Sequence, residues 1–165
     1  MVNRIMTMLL WAFIGWFILT EFVFVEESSV NEQYRIPEPY YTATFHQYSG
    51  TDNLRAYLER KEWARAYEAG KFDCTEMSAF LEYRLENEGW HTVIVVADEF
   101  EGGGHCWLLV ETKLNQYMPV EATSRVVVDY DNPKFKEYFN YNYTFETIYD
   151  AMDIGPTAFD WWNIE

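Results

Sequence analysis

The pattern of hydrophobic and polar positions divides the chain near residue 25. Residues 5–25 form an almost unbroken apolar run, interrupted at Thr7, Thr20 and Glu21. After it, apolar positions recur at helical spacing in two segments and then form short runs typical of strands. Because a membrane-spanning helix needs about 20 apolar residues, the first run predicts a transmembrane helix, and the remainder predicts a folded domain.

The residues that flank the apolar run predict its orientation. Arg4 precedes the run, and Glu26 and Glu27 follow it. The positive-inside rule then places residues 1–4 in the cytoplasm and the domain outside the cell. Since no small-x-small cleavage site is evident, the run is typical of an uncleaved signal-anchor. The sequence therefore predicts a single-pass cell-membrane protein with an extracytoplasmic domain.

Residues 26–50 have the character of a juxtamembrane linker. Pro37 and Pro39 disfavour helix there and favour extended backbone. The aromatic side chains of residues 40–48 are expected to pack on the domain that follows, which we place at residues 51–165.

The domain has an α+β pattern. A first helix is predicted from residue 51 or 52 to about 69, ended by Gly70, and a second begins at Cys74 and ends near Gly89. Four strands are predicted at 91–98, 105–112, 117–123 and 125–130, followed by a short helix near 145–152. This order predicts a Cys-bearing helix packed on an antiparallel sheet.

Composition and charge narrow the classes of function. The chain has 165 residues, enough for one domain with a real core, and its 13 Tyr and 7 Trp exclude a disordered chain. A net charge of −15 excludes binding to nucleic acid or anionic lipid by charge. No EF-hand calcium loop occurs, and the three histidines lack metal-ligand spacing. The sequence therefore predicts no nucleic-acid partner and no metal.

Three residues in the middle of the chain have the chemistry of a nucleophile, a base and an orienting carboxylate. Cys74 follows the candidate N-cap Asp73, where a helix N-terminus lowers a thiol pKa and favours the reactive thiolate. His105 follows three glycines, which predict a flexible loop that delivers it to a strand. Glu121 closes the next strand and could hold the imidazole in one tautomer.

The ordered motifs resemble the transglutaminase-like cysteine-protease superfamily. In that family a Cys heading a helix is followed by a His-x-Trp strand and then by a strand ending like "Pro-Val-Asp-Pro-Thr"; here they are Phe-Asp-Cys-Thr, His-Cys-Trp and Pro-Val-Glu-Ala-Thr. The resemblance implies a papain-like fold with Cys74, His105 and Glu121 as catalytic triad. It implies acyl transfer at a peptide or isopeptide amide, by hydrolysis or by cross-linking to an amine, without a cofactor. Glu121 departs from the family's usual Asp by one methylene.

Several points stay open from the sequence. The partner is a protein or peptide substrate if the triad is active; alternatively, the domain is a non-catalytic accessory or regulatory subunit of a membrane protein complex. The Cys74 N–H is one oxyanion donor, and Gln47 and Trp63 are candidates for the second. If His105 faces the Cys74 helix, strand alternation turns Cys106 to the other face of the sheet, so we predict free thiols at both cysteines.

Overall fold

The computed structural model describes residues 36–62 and 65–163, and the chain from Ile36 onward forms one compact unit. Its regular elements, in chain order, are α1 Thr51–Glu59, α2 Cys74–Asn87, β1 Thr92–Phe100, β2 Gly103–Lys113, β3 Gln116–Glu121, β4 Val126–Val127, a 3₁₀ turn Glu137–Phe139, β5 Tyr143–Phe145 and α3 Ile148–Ile154.

The strands form one antiparallel sheet in the order β4-β3-β2-β1-β5. α2 packs on β2 and β1, and the chain is therefore an α+β protein with an antiparallel sheet. The face of the sheet toward α2 forms the helix-side core, to which α2 contributes Met77, Leu81 and Leu85. The other face forms a smaller core, in which Trp107 packs near Tyr138.

The membrane part of the predicted fold needs correction. The apolar run at residues 5–25 lies outside the described residues. Within residues 36–62 and 65–163, no helix is long and apolar enough to cross a membrane. The longest of them, α2, has 14 residues, and at 1.5 Å per residue it spans about 21 Å of a hydrocarbon layer about 30 Å thick. The structure therefore supports neither the predicted membrane-spanning helix nor the single-pass, extracytoplasmic location.

The first helix is much shorter than its hydrophobic pattern predicts. α1 ends at Glu59 rather than near residue 69. Gly70 belongs instead to a tight turn with φ +72°, in which the backbones of Glu68 and Phe72 exchange hydrogen bonds of 3.0 and 2.8 Å. This turn buries Phe72 completely and brings the chain directly to the start of α2.

The segment before α1 contributes to the core. Tyr40 is 1% exposed, and its hydroxyl donates to the carbonyl oxygen of Ala79 in α2 at 3.0 Å. This confirms that aromatic residues of the predicted linker pack on the domain, although Phe45 and Tyr48 are exposed. Residues 36–50 therefore act as part of the folded unit.

The turn between β1 and β2 is tight. Glu101 and Gly102 both have positive φ, +54° and +92°, and Phe100 pairs with Gly103. Two consecutive left-handed residues match the twist of the strands that they connect. The prediction of a flexible glycine loop is wrong, because β2 begins at Gly103 and pairs His105 with Ala97 of β1.

Candidate active site

Cys74 is the first residue of α2, and a capping box fixes its position. The Asp73 carboxylate accepts hydrogen bonds from the backbone N–H groups of Thr75 at 3.2 Å and Gly70 at 2.9 Å, while Glu76 accepts from the Asp73 N–H at 3.0 Å. Burial alone would raise the pKa of Asp73, but these hydrogen bonds lower it, so the carboxylate is ionised and already partnered. The thiol therefore lies at a well-capped helix N-terminus.

Glu121, at the end of β3, holds the ring of His105. The Nε2 of His105 lies 2.8 Å from Oε2 of Glu121. The other carboxylate oxygen accepts from Thr123 through its N–H at 3.2 Å and its hydroxyl at 2.7 Å, and the Tyr138 hydroxyl donates to Oε2 at 3.3 Å. Burial raises the pKa of Glu121, but the hydrogen bonds from His105 and Thr123 outweigh it and lower the pKa. The carboxylate is therefore ionised and oriented.

His105 interacts with both Cys74 and Glu121. Since Nε2 is occupied by Glu121, Nδ1 is the nitrogen left for the thiol. Burial lowers the pKa of His105, but the hydrogen bonds with Cys74 and Glu121 raise it to about 9. The ring also stacks on Phe100 and Trp107, with centroid distances of 5.3 and 5.6 Å. This arrangement favours an imidazolium at neutral pH within reach of the thiol.

Two clefts open on either side of His105. The Cys74 cleft, of about 360 Å³, is lined by Asp73, Cys74, Thr75, Val96, Ala97, Asp98, Gly104 and His105. The Tyr138 cleft, of about 240 Å³, is lined by Phe100, Glu101, Gly104, His105, Glu121, Thr123 and Tyr138. Gly104 and His105 line both clefts, so the imidazole borders the space beside the thiol and the space beside Tyr138.

Of the two candidates for the second oxyanion donor, one lies elsewhere in the described residues and the other falls outside them. The side chain of Gln47 donates to the carbonyl oxygen of Glu88 at 2.7 Å, at the opposite end of α2 from Cys74, so that candidate was wrong. Trp63 lies outside the described residues. The described part of the chain also contains no group of three His, Cys, Asp or Glu side chains placed to hold a metal ion.

Both cysteines are free thiols, as predicted, but the predicted face of Cys106 is wrong. Cys106 is fully buried in the helix-side core, and burial raises its pKa far above the ordinary range of a thiol. His105 still reaches the thiol because Cys74 is the first residue of α2, at the very end of the helix. The register of β1 and β2 also shifts next to His105, between Ala97 and Phe100.

Sequence reasoning missed the residues that orient Glu121. Thr123 could have been found, because a hydroxyl two residues after a carboxylate commonly bonds it locally. Tyr138 lies 17 residues beyond Glu121, after the turn residues Asp131, Asn132 and Pro133. No local sequence pattern predicts that its side chain contacts Glu121. Its backbone carbonyl accepts from the indole N–H of Trp107 at 3.2 Å, which fixes this segment against the sheet.

Comparison with known proteins gives one distant similarity. The chain is 26% identical over 162 residues to an uncharacterized protein of Methanocaldococcus jannaschii, with 80% of this chain and 67% of that protein covered. No protein-family model matches the chain, and no solved structure matches it. The comparisons therefore assign neither a family nor an activity.

Proposed function

We propose that this domain catalyses thiol-dependent acyl transfer at a peptide or isopeptide amide, with Cys74 as nucleophile. The observation that carries the proposal is the position of His105, which interacts with Cys74 while its Nε2 is 2.8 Å from Oε2 of Glu121. An open cleft beside the thiol gives an amide access to it. The transglutaminase-like resemblance of the three motifs supports the same chemistry.

In this mechanism the Cys74 thiolate attacks the carbonyl carbon of the amide. The oxyanion forms beside the Cys74 N–H, which has no intrahelical acceptor because it belongs to the first turn of α2. The tetrahedral intermediate collapses as the C–N bond breaks, and the His105 imidazolium gives its proton to the leaving amine. A thioester remains on Cys74.

The second half regenerates the thiol. Water, or the amine of an acceptor, attacks the thioester carbonyl while neutral His105 takes a proton from it. The C–S bond then breaks and restores the thiolate–imidazolium pair. Water gives hydrolysis, whereas an amine gives a new amide, and the choice between them depends on which one reaches the thioester.

The longer side chain of Glu121 is compatible with the role usually held by Asp. Thr123 donates a hydrogen bond to one of its carboxylate oxygens and Tyr138 to the other. The carboxylate therefore has a fixed orientation despite the extra methylene. A non-catalytic accessory role would not need a carboxylate fixed on an imidazole beside an open cleft. These contacts therefore favour the enzyme over the accessory subunit.

Labelling with iodoacetamide between pH 4 and 9, with peptide mapping, tests the nucleophile. We expect Cys74 to be alkylated at near-neutral pH, and the rate to fall strongly in His105→Ala. Cys106→Ala is the matched control and should leave most of the labelling, because that thiol is buried. Equal labelling of both thiols with an apparent pKa of about 8.5, that of an ordinary thiol, would overturn the proposal.

Activity itself can be tested without a known substrate. A mixed peptide library, incubated with the protein and analysed by mass spectrometry, reports amide hydrolysis; incorporation of a dansylated amine reports transfer. Both should depend on Cys74. Products that are equally abundant with Cys74→Ala would contradict the mechanism.

A further inference from the structure

The Cys74 cleft contains a carboxylate that the mechanism does not use. Asp98 is an exposed residue of β1, directly after the pair that Ala97 forms with His105, and it lines the same cleft as Cys74. Its backbone N–H donates to Oδ1 of Asn142 at 2.8 Å, which fixes the strand at this point. Within the described residues, its side chain has neither a hydrogen bond nor an ion pair.

Every other carboxylate that lines the two clefts has a partner. Asp73 accepts from the amides of Gly70 and Thr75. Glu101 forms an ion pair with Lys134, and Glu121 is bonded to His105. Asp98 is therefore the carboxylate in the two linings that remains available to a bound molecule.

Among the described residues, no lysine or arginine lines either cleft. His105 is the cationic group common to both linings, and Glu121 already neutralises it. A substrate group entering the Cys74 cleft therefore meets negative charge from Asp98 without a compensating protein cation. With about 360 Å³, the cleft falls within the range of roughly 300–1,000 Å³ that is typical of small-ligand sites.

We propose that Asp98 selects substrates that carry a cationic group, a lysine or arginine side chain, next to the amide that Cys74 attacks. The inference rests on the proposed function for the reaction, but the recognition step depends only on the charge at the cleft. A cation bound there forms a charge-assisted hydrogen bond with the carboxylate. An acidic side chain at the same place is repelled and leaves Asp98 unpaired.

The charge at the thiol can be measured with methanethiosulfonate reagents that carry a positive, a negative or no charge. Each reagent forms a disulfide with the Cys74 thiolate and releases methanesulfinate. The rates of a trimethylammonium-ethyl and a sulfonato-ethyl reagent are compared, with the neutral methyl reagent as reference. The ratio of cationic to anionic rate cancels any change in the thiol pKa, because all three reagents require the same thiolate.

We expect the ratio to exceed one in the full chain and to fall about threefold or more in Asp98→Asn, as an interaction of unit charges at several ångströms near a surface requires. Asp153→Asn is the matched control, because it removes the same charge from an exposed residue of α3 that lines neither cleft. A ratio equally reduced by both variants would show only the effect of net charge and would overturn the assignment of Asp98. So would a ratio unchanged in Asp98→Asn.

The peptide library provides a second measurement. Lysine or arginine should be enriched beside the processed amide, the enrichment should disappear in Asp98→Asn, and Asp98→Lys should favour acidic neighbours. The loss should appear mainly in KM. If Cys74 reacts like an ordinary thiol but the ratio still depends on Asp98, the proposed reaction fails and the cation site stands. If the thiol is activated but neither ratio nor enrichment depends on Asp98, only the substrate preference fails.

Discussion

The hydroxyl of Tyr41 donates a hydrogen bond to Oε1 of Glu82 inside the core, joining the segment before α1 to the middle of α2. Glu82 is fully buried, and its Oε2 has no hydrogen-bond partner among the described residues. Burial raises the pKa of Glu82 to about 8. The carboxyl group is therefore mostly protonated at neutral pH in the folded protein, whereas it ionises in the unfolded chain.

Glu82→Gln should stabilise the protein at alkaline pH. The wild-type free energy of unfolding should fall between about pH 4.5 and 8, because the unfolded state loses this proton first. Glutamine has no proton to lose, so we expect a gain of up to about 4 kcal/mol near pH 8 that shrinks toward pH 4.5. Urea unfolding at several pH values measures it. Glu59→Gln, an exposed control on α1, should change little; parallel pH profiles for wild type and Glu82→Gln would contradict the interpretation.

A chain that begins at residue 36 should fold, whereas one that begins at residue 51 should be severely destabilised. The shorter chain loses Tyr40 from the core and leaves Glu82 without Tyr41. Loss of a buried aromatic side chain alone costs about 3–5 kcal/mol. Urea midpoints and near-ultraviolet circular dichroism provide the measurement. Equal midpoints for the two truncations would show that residues 36–50 do not belong to the folded unit.

Glu121→Gln should lower the pKa of His105 from about 9 toward 6.5. The variant keeps the size of the side chain but removes the negative charge that favours the imidazolium. A titration of the His105 ring followed by NMR measures the pKa directly, and Glu121→Asp should preserve more of the elevation. Tyr138→Phe is the finer control, since it removes one donor to Glu121 and keeps the carboxylate. An unchanged pKa in Glu121→Gln would mean that Glu121 does not stabilise the charged base.

His91 should stabilise the fold more at acidic than at alkaline pH. Its two ring nitrogens each lie 3.1 Å from a carboxylate oxygen, of Glu111 and of Glu146, and both contacts are favourable only when both nitrogens carry protons. Burial lowers the pKa of His91, but these carboxylates raise it. The contribution is thus complete below about pH 6.5 and is lost as the pH rises through the higher folded value.

His91→Gln measures this contribution. Because the ring is partly solvent-exposed, we expect a loss of about 0.5–1 kcal/mol at pH 6 and less at pH 9. Thermal unfolding in the two buffers compares wild type and variant. A loss that is equal at both pH values would indicate a packing role instead.

Local signals predicted the parts of the site that lie within single elements. The acidic N-cap before Cys74 marked the start of α2, and the short gap between the predicted strands 105–112 and 117–123 matches the β2–β3 hairpin, because each depends on neighbours in sequence. That these residues act in catalysis stays a prediction.

Features that depend on packing were not predictable in the same way. α1 stops at Glu59 although its apolar spacing continues, and the chain turns at Gly70 to bury Phe72. The face of Cys106 was wrongly assigned because the prediction required the His105 side chain to lie on the helix side of the sheet. In the structure Cys106 lies on that side, and His105 still reaches Cys74. Tyr138 joins the site only through the folding of residues 128–143 across the second face.

The burial of Cys106 also determines how the protein responds to oxidants. As the proposed nucleophile, the partly exposed Cys74 would be open to oxidation to a sulfenic acid, which many redox proteins rescue with a second, resolving cysteine. The chain has two cysteines. The second, Cys106, is buried in the helix-side core, and burial raises its pKa so that the thiol stays protonated. Rescue of an oxidised Cys74 must therefore come from an external thiol, and without one, peroxide should drive the residue on to the irreversible sulfinic acid.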